Sequence, residues 1–279
     1  MLPHTFCHVP GLGPAAERRL WAADLDNWEA VDEAEDLPLK GRQAEALRTL
    51  VRESIDQFAA GNAGFFYEQL PSKEHWRLFP HFRHKVAYLD IETTGLGSPG
   101  DSITTIVLYD GDDIYSFVQG QNLADFVDCV AGYDLLVTYN GKSFDLPFIR
   151  SYLGAPVDQA HIDLRYVLSS LGYRGGLKGC EHQLGIYRGD LEEVDGFFAV
   201  LLWNQYQASS DERVLETLLA YNALDVINLE TLMFLAFNQK LAQTPFAADR
   251  LEPPVSPENP FRAHADIIRE TKESYNSWG

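Results

Sequence analysis

Cysteine is scarce in this chain. The three present, Cys7, Cys129 and Cys180, are scattered and odd in number, which excludes a disulfide framework and fits a reducing compartment. A cytoplasmic location is therefore expected. His4 and His8 flank Cys7 but lack a second ligand pair, so no zinc site is read there. The sequence does not open with a basic segment leading into an apolar run. No stretch approaches the ~18 apolar residues of a membrane span, so a soluble protein with no membrane partner is expected. Repeats and low-complexity tracts are missing. Positive charge is also in short supply: 22 Lys+Arg face 41 Asp+Glu, for a net charge of −19, which argues against a broadly basic polyanion-binding surface. With 46% hydrophobic residues in 279, the chain can bury one full core and has room for a small second unit.

What is present centres on acids in unusual places. Val86–Ile91 reads as a short apolar strand stopped by Thr-Gly, and it leads into two carboxylates, Asp90 and Glu92. Side chains at i and i+2 of a strand share a face, so the two should stand side by side. Like charges that close call for a cation between them, and oxygen ligands suit Mg²⁺ or Mn²⁺; two solvated acids at a strand end would give the same pattern. Tyr139-Asn140-Gly141-Lys142-Ser143-Phe144-Asp145 follows a second apolar run, Leu135 to Thr138, and Pro147 marks the first turn of a helix. Asp145 thus sits at a strand-to-helix junction, as a ligand or as a plain helix cap. In the helical run Val214 to Phe237, Tyr221 and Asp225 are spaced i, i+4 and fall on one face. A tyrosine there can be ordinary core, but an acid one turn away is costly to bury without a partner.

Taken together, Asp90-Ile91-Glu92, Asn140 to Asp145, and Tyr221 with Asp225 resemble the three motifs of the DEDD 3′–5′ exonuclease superfamily, in the branch with Tyr in its third motif. The match is most similar to the bacterial YprB-like ribonuclease H-like domain, which also has a Leu-Lys-x-x-Glu segment like Leu177-Lys178-Gly179-Cys180-Glu181. The resemblance implies an α/β fold, a ribonuclease H-like mixed sheet flanked by helices. It implies a two-metal phosphodiesterase in which Asp90, Glu92, Asp145 and Asp225 hold two Mg²⁺ or Mn²⁺ ions while Tyr221 orients the attacking water. Thr93, Asn140, Lys142 and Phe144 become expected substrate contacts, and single-stranded DNA or RNA ends the expected partner. A structure-selective endonuclease or a non-catalytic nucleic-acid-binding module are the alternatives; the second usually lacks a metal carboxylate, and none is missing here.

Organisation follows from pattern changes. Residues 1–83 read as a small helical N-terminal region, with Leu47, Leu50, Val51, Ile55 and Phe58 at helical spacing. Its Val9–Pro14 segment, followed by Ala15 to Ala23, resembles one helix-hairpin-helix element, a packing unit or a DNA contact. Phe65, Phe66, Tyr67, Trp76 and Phe82 are expected to pack this region against the rest. From 84 to 238, three antiparallel strands near 86–91, 102–109 and 113–118 precede alternating helices and short strands. Residues 239–279 form a Pro-containing tail expected to wrap the surface. The 84–238 region holds 8 Lys+Arg against 22 Asp+Glu, and six of those eight (Lys142, Arg150, Arg165, Arg174, Lys178 and Arg188) fall between 142 and 188. They form either a basic strip beside the acidic site or a set of independent surface residues. Asp163 is read as a helix cap.

Overall fold

A computed structural model describes residues 1–276. Five helices come first: α1 (Pro14–Trp21), α2 (Trp28–Glu33), α3 (Arg42–Ala59), α4 (Ala63–Gln69) and α5 (Phe79–Phe82). Strands β1 (Val86–Thr93), β2 (Ile103–Tyr109) and β3 (Ile114–Val118) follow, then α6 (Phe126–Val130), β4 (Leu135–Thr138), α7 (Asp145–Leu153), β5 (Ala160–Asp163) and α8 (Leu164–Leu171). The remainder is helical: α9 (Gly176–Gln183), α10 (Gly196–Ser209), α11 (Glu212–Leu241) and α12 (Ala265–Asn276).

The strands make one mixed sheet in the order β3-β2-β1-β4-β5, antiparallel on the β3-β2-β1 side and parallel on the β1-β4-β5 side. This is the α/β ribonuclease H-like architecture that the pattern predicts. β2 is buried at every position and made of β-branched and large apolar residues, as befits a strand covered on both faces. Along β1 the faces alternate. Val86 and Tyr88 join the core that contains Leu218, Val226 and Leu229 of α11, whereas Ala87, Leu89 and Ile91 join the core beneath Phe126 of α6 and Ile149 of α7.

Helix α11 is the central pillar. Asp211 caps it by accepting from Arg213 N, and no Gly or Pro interrupts its 30 residues. By length and average composition alone it could cross a membrane, although Glu216, Asp225 and Glu230 interrupt its apolar run. Because 83% of that window is buried inside the protein, it is a core helix.

The N-terminal helices pack on the same side. Trp76 meets Phe237 of α11 at 5.7 Å, the packing expected of it, and Phe79, which the sequence does not single out, meets Phe234 of the same helix at 5.1 Å. Beneath them lies a buried charge network. Glu17 accepts from Arg77 Nη2 (2.7 Å), Thr5 Oγ1 (2.7 Å) and Phe6 N (2.8 Å), and Arg77 Nε also pairs with Glu74 at 3.1 Å.

The tail runs back along α11. Leu251 exchanges hydrogen bonds with Asn238, Asn259 bonds Ala220 O, and His264 pairs with Glu216. It ends in α12, which the proline-rich approach does not announce in the sequence. There Ile267 and Ile268 are buried, and Asp266 pairs with Arg213. Residues 277–279 of the expected tail lie outside the described residues.

Removing one member of a buried ion-pair network strands the other charges. We therefore expect Glu17→Ala to lower unfolding free energy by roughly 3–5 kcal/mol in a urea titration. A loss below about 1 kcal/mol, the value of an exposed pair, would mean that the network is not desolvated in solution.

Candidate active site

The alternation of β1 decides where its acids go. Asp90 and Glu92 continue the face that carries Val86 and Tyr88, so they point toward α11. A register shift between Glu92 and Thr93 ends regular pairing with β2, the kind of bulge that re-aims side chains at a strand end. The chain then turns through Thr94-Gly95. Thr93 Oγ1 donates to Gly95 O at 2.6 Å, and a Cβ at Gly95 would collide with the Asp101 carboxylate that accepts from Gly97 N and Ser98 N.

From the opposite side, α11 presents Tyr221, Asn222 and Asp225, all buried. Asn222 Nδ2 donates to Asp90 Oδ2 at 2.7 Å while its Oδ1 accepts from Thr105 Oγ1 at 2.9 Å, so strand β2 orients the amide that orients Asp90. One ligand atom each from Asp90, Glu92 and Asp225 can be chosen with all three within 4.8 Å of one another. Asp225 also faces a cation. Arg188 Nη2 lies 2.5 Å from its Oδ1, and the same guanidinium forks onto Glu181 at 2.6 and 2.8 Å, with Asn228 donating to Glu181 at 2.9 Å. Glu181 is fully buried and Arg188 nearly so. The Tyr221 ring is bordered by the Arg188 guanidinium at 5.7 Å and by Lys178 Nζ at 6.0 Å, and its hydroxyl makes no hydrogen bond among the described residues.

Asp145 enters from the other core. It opens α7 without capping it, so the plain-cap reading does not hold. It lines the same cleft, of about 750 Å³, as Asp90, Glu92, Tyr221 and Asp225, but stands outside the three-carboxylate cluster. The loop before it turns tightly: Gly141 N donates to Thr138 Oγ1, and a Cβ at Gly141 would overlap that hydroxyl. Asp163 caps α8 through Arg165 N, as its sequence position predicts. It also accepts from Asn140 N (2.8 Å) and Lys142 N (3.1 Å), which ties this loop to β5.

The electrostatics follow from burial and crowding. Desolvation, then the charges of Asp225, Asp145 and Glu92, push the Asp90 carboxyl well above the carboxylate range; desolvation and the charges of Asp225 and Asp145 do the same to Glu92. Burial raises Asp145 to about 7. Asp225 rises to about 6 because burial outweighs the nearby Arg188. Burial and the neighbouring carboxylates raise Tyr221, which disfavours a phenolate at neutral pH. For Arg188, burial opposes the charge, but Asp225 and Glu181 hold it protonated. A hard divalent cation fits this set: the donors are all oxygen, and Asp225 Oδ1 is buried with no hydrogen bond despite the adjacent guanidinium.

The expected substrate contacts separate. Thr93, Asn140 and Phe144 line the cleft; Lys142 does not, and its Nζ bonds Ser72 Oγ at 2.9 Å. The six basic residues of 142–188 form no strip. Arg150 bonds Val157 O, Arg174 bonds the carbonyls of Ser169 and Tyr173, Lys178 bonds those of Glu192 and Val194, and Arg188 is buried; Arg165 alone among them lines the cleft. Asn222 and Thr105 escape the sequence reading, and Arg188, named there only as one of six basic residues, is not assigned its pairing with Asp225. Asn222 had a signal, a polar residue one helical turn before Asp225 on a core helix, whereas Arg188 looks like any loop arginine.

A family model described as the RNase H superfamily matches residues 87–236. The uncharacterized protein YprB of Bacillus subtilis (strain 168) is 26% identical over 215 residues, covering 68% of this chain and 51% of its own length, so the chain spans about half of that relative. Among solved structures, a family B DNA polymerase from the hyperthermophilic archaeon Pyrobaculum calidifontis is similar at 17% identity over 56% of this chain and 29% of its own, with a TM-score of 0.37.

Carboxyls raised in the folded state bind protons more tightly than in the unfolded chain, so ionising them in place costs stability that unfolding relieves. The loss begins at the ordinary carboxylate range and runs up through about 6 and about 7 for Asp225 and Asp145. Each group costs roughly 1.4 kcal/mol per pH unit within its window. In EDTA, the melting temperature should fall from about pH 5 to about pH 8, and Asp145→Asn should flatten that fall. A melting temperature that rises across the same interval would contradict the cluster's protonation.

Proposed function

The chain belongs to the RNase H superfamily, and on that premise we propose that it is a divalent-metal-dependent 3′–5′ exonuclease of the Tyr-type DEDD group, hydrolysing phosphodiester bonds at single-stranded nucleic-acid ends, DNA ahead of RNA. The observation that carries this reading is the meeting of Asp90 and Glu92 of β1 with Asp225 of α11 inside one cleft shared with Asp145 and Tyr221. In this proposal Asp90, Glu92 and Asp225, with Asp145 on the adjoining wall, hold two Mg²⁺ or Mn²⁺ ions. When bound, such ions supply a water of lowered pKa and stabilise the leaving oxygen. The protein's own contribution is placement. Asn222 fixes the Asp90 carboxylate, Arg188 fixes that of Asp225, and the Tyr221 hydroxyl, free of hydrogen-bond partners among the described residues, orients the attacking water without giving up its proton. Thr93, Asn140 and Phe144 shape the channel in which the strand end lies.

The direct test is degradation of end-labelled single-stranded DNA and RNA in Mg²⁺, Mn²⁺ or EDTA. We expect stepwise shortening from the 3′ end in either metal and none in EDTA. Cleavage of a closed circular single strand would move the assignment to an endonuclease, and inertness in both metals to a binding module. Tyr221→Phe should keep the metal-induced rise in melting temperature yet lose about 10²- to 10⁴-fold in single-turnover rate, whereas Asp225→Asn should lose the metal response itself. Wild-type rates in Tyr221→Phe would leave the ring as core packing and the hydroxyl without a role.

A further inference from the structure

A nucleic-acid strand entering this cleft meets four carboxylates, in a chain of net charge −19. Divalent ions would offset the acids locally, but phosphates on either side of the cleaved bond would still lack a partner. Arg165 is the one basic side chain among the described residues lining the cleft. It is exposed, at the start of α8, on the wall that also carries Tyr139 and Asn140.

Its position is fixed at both ends. The Arg165 backbone N–H donates to Asp163 Oδ1, and its Nη1 donates to the Asn140 side-chain oxygen, which also accepts from Ser143 Oγ. Asn140 is itself held in the left-handed region, φ 68°, by donating its N–H to the same Asp163 carboxylate. Few residues other than glycine adopt that backbone, and it persists because Asp163 clamps the loop. Arg165 forms no ion pair among the described residues, and the rest of its guanidinium fork carries no partner among them. A planar fork with free donors suits a phosphate in two-point contact. Bonded to Asn140 and paired with none of the four carboxylates, it would meet a flanking phosphate rather than the one being cleaved.

We propose that Arg165, braced by Asn140 and Asp163, is the phosphate-binding residue of this cleft. The assignment rests on the nuclease reading and extends it to how an acidic protein grips a polyanion.

The test is fluorescence anisotropy of a labelled, phosphorothioate-protected single-stranded oligonucleotide in Mg²⁺ across a salt series. One phosphate contact contributes about 0.7 to the slope of log K against log salt on a single strand. Arg165→Gln should weaken binding roughly tenfold, as loss of a charge-assisted hydrogen bond does, and make the slope shallower by about 0.7. Arg165→Lys should keep the slope and recover only part of the affinity, because lysine retains charge without the fork. An unchanged metal-induced melting shift in both variants shows that fold and acidic site survive. Wild-type affinity and slope in Arg165→Gln, or the slope loss appearing in Lys142→Gln instead, would overturn the assignment. Wild-type protein that binds no strand at all would overturn the nuclease reading, and this inference with it.

Discussion

Strand β1 and helix α11 meet along one surface that is apolar at one end and acidic at the other. Val86 and Tyr88 pack into the core with the helix, and two residues further on the same face delivers Asp90 and Glu92 to Asp225. Because the strand repeats every two residues and the helix every 3.6, this contact has a single register in which both halves match. A one-residue slip of β1 would turn the acids into the opposite core, against Phe126 and Ile149. The burial of the apolar half is what forces carboxylates together that would otherwise separate.

The protein relieves only part of that crowding. Asn222 gives Asp90 one neutral donor, and Arg188 gives Asp225 one charge, itself balanced by Glu181 behind it. Glu92 and Asp145 form no ion pair among the described residues, and the Arg188 charge offsets only part of the crowding at Glu92. The arrangement is rigid where it meets the protein and under-compensated where it meets the cleft, as an anionic site waiting for mobile cations should be. It also explains how a strongly acidic chain can suit a nucleic-acid substrate. On the proposed nuclease reading, attraction would come from what the acids hold and from the braced Arg165, with no basic surface required.

Much of this was legible in the residues. The β1-β2-β3 meander follows from short apolar runs separated by Gly-Asp-rich turns, and the shared face of Asp90 and Glu92 from their spacing alone. The i, i+4 relation of Tyr221 and Asp225 places both on one side of α11 without any coordinates. What spacing cannot supply is the direction of a long side chain. Lys142 and Arg165 look equally fit to meet a phosphate, yet one reaches Ser72 and the other the cleft, because Asp163 sets the loop between them. Arg188 was hidden for a similar reason: only the folded chain brings residue 188 to residue 225. Helix α12 escaped because prolines dominate the approach to it, while its anchors, Ile267 and Ile268, are too few to set a clear helical period.

The account depends on Asp90, Glu92, Asp145 and Asp225 forming a centre for two divalent ions. Crystals of the protein grown with Mn²⁺, measured at a wavelength where manganese scatters anomalously, address this most directly. The account predicts two anomalous peaks about 4 Å apart, within coordination distance of these four carboxylates, with Arg188 still paired to Glu181. A cleft without peaks at millimolar Mn²⁺, or manganese bound only at acids elsewhere on the surface, would contradict it.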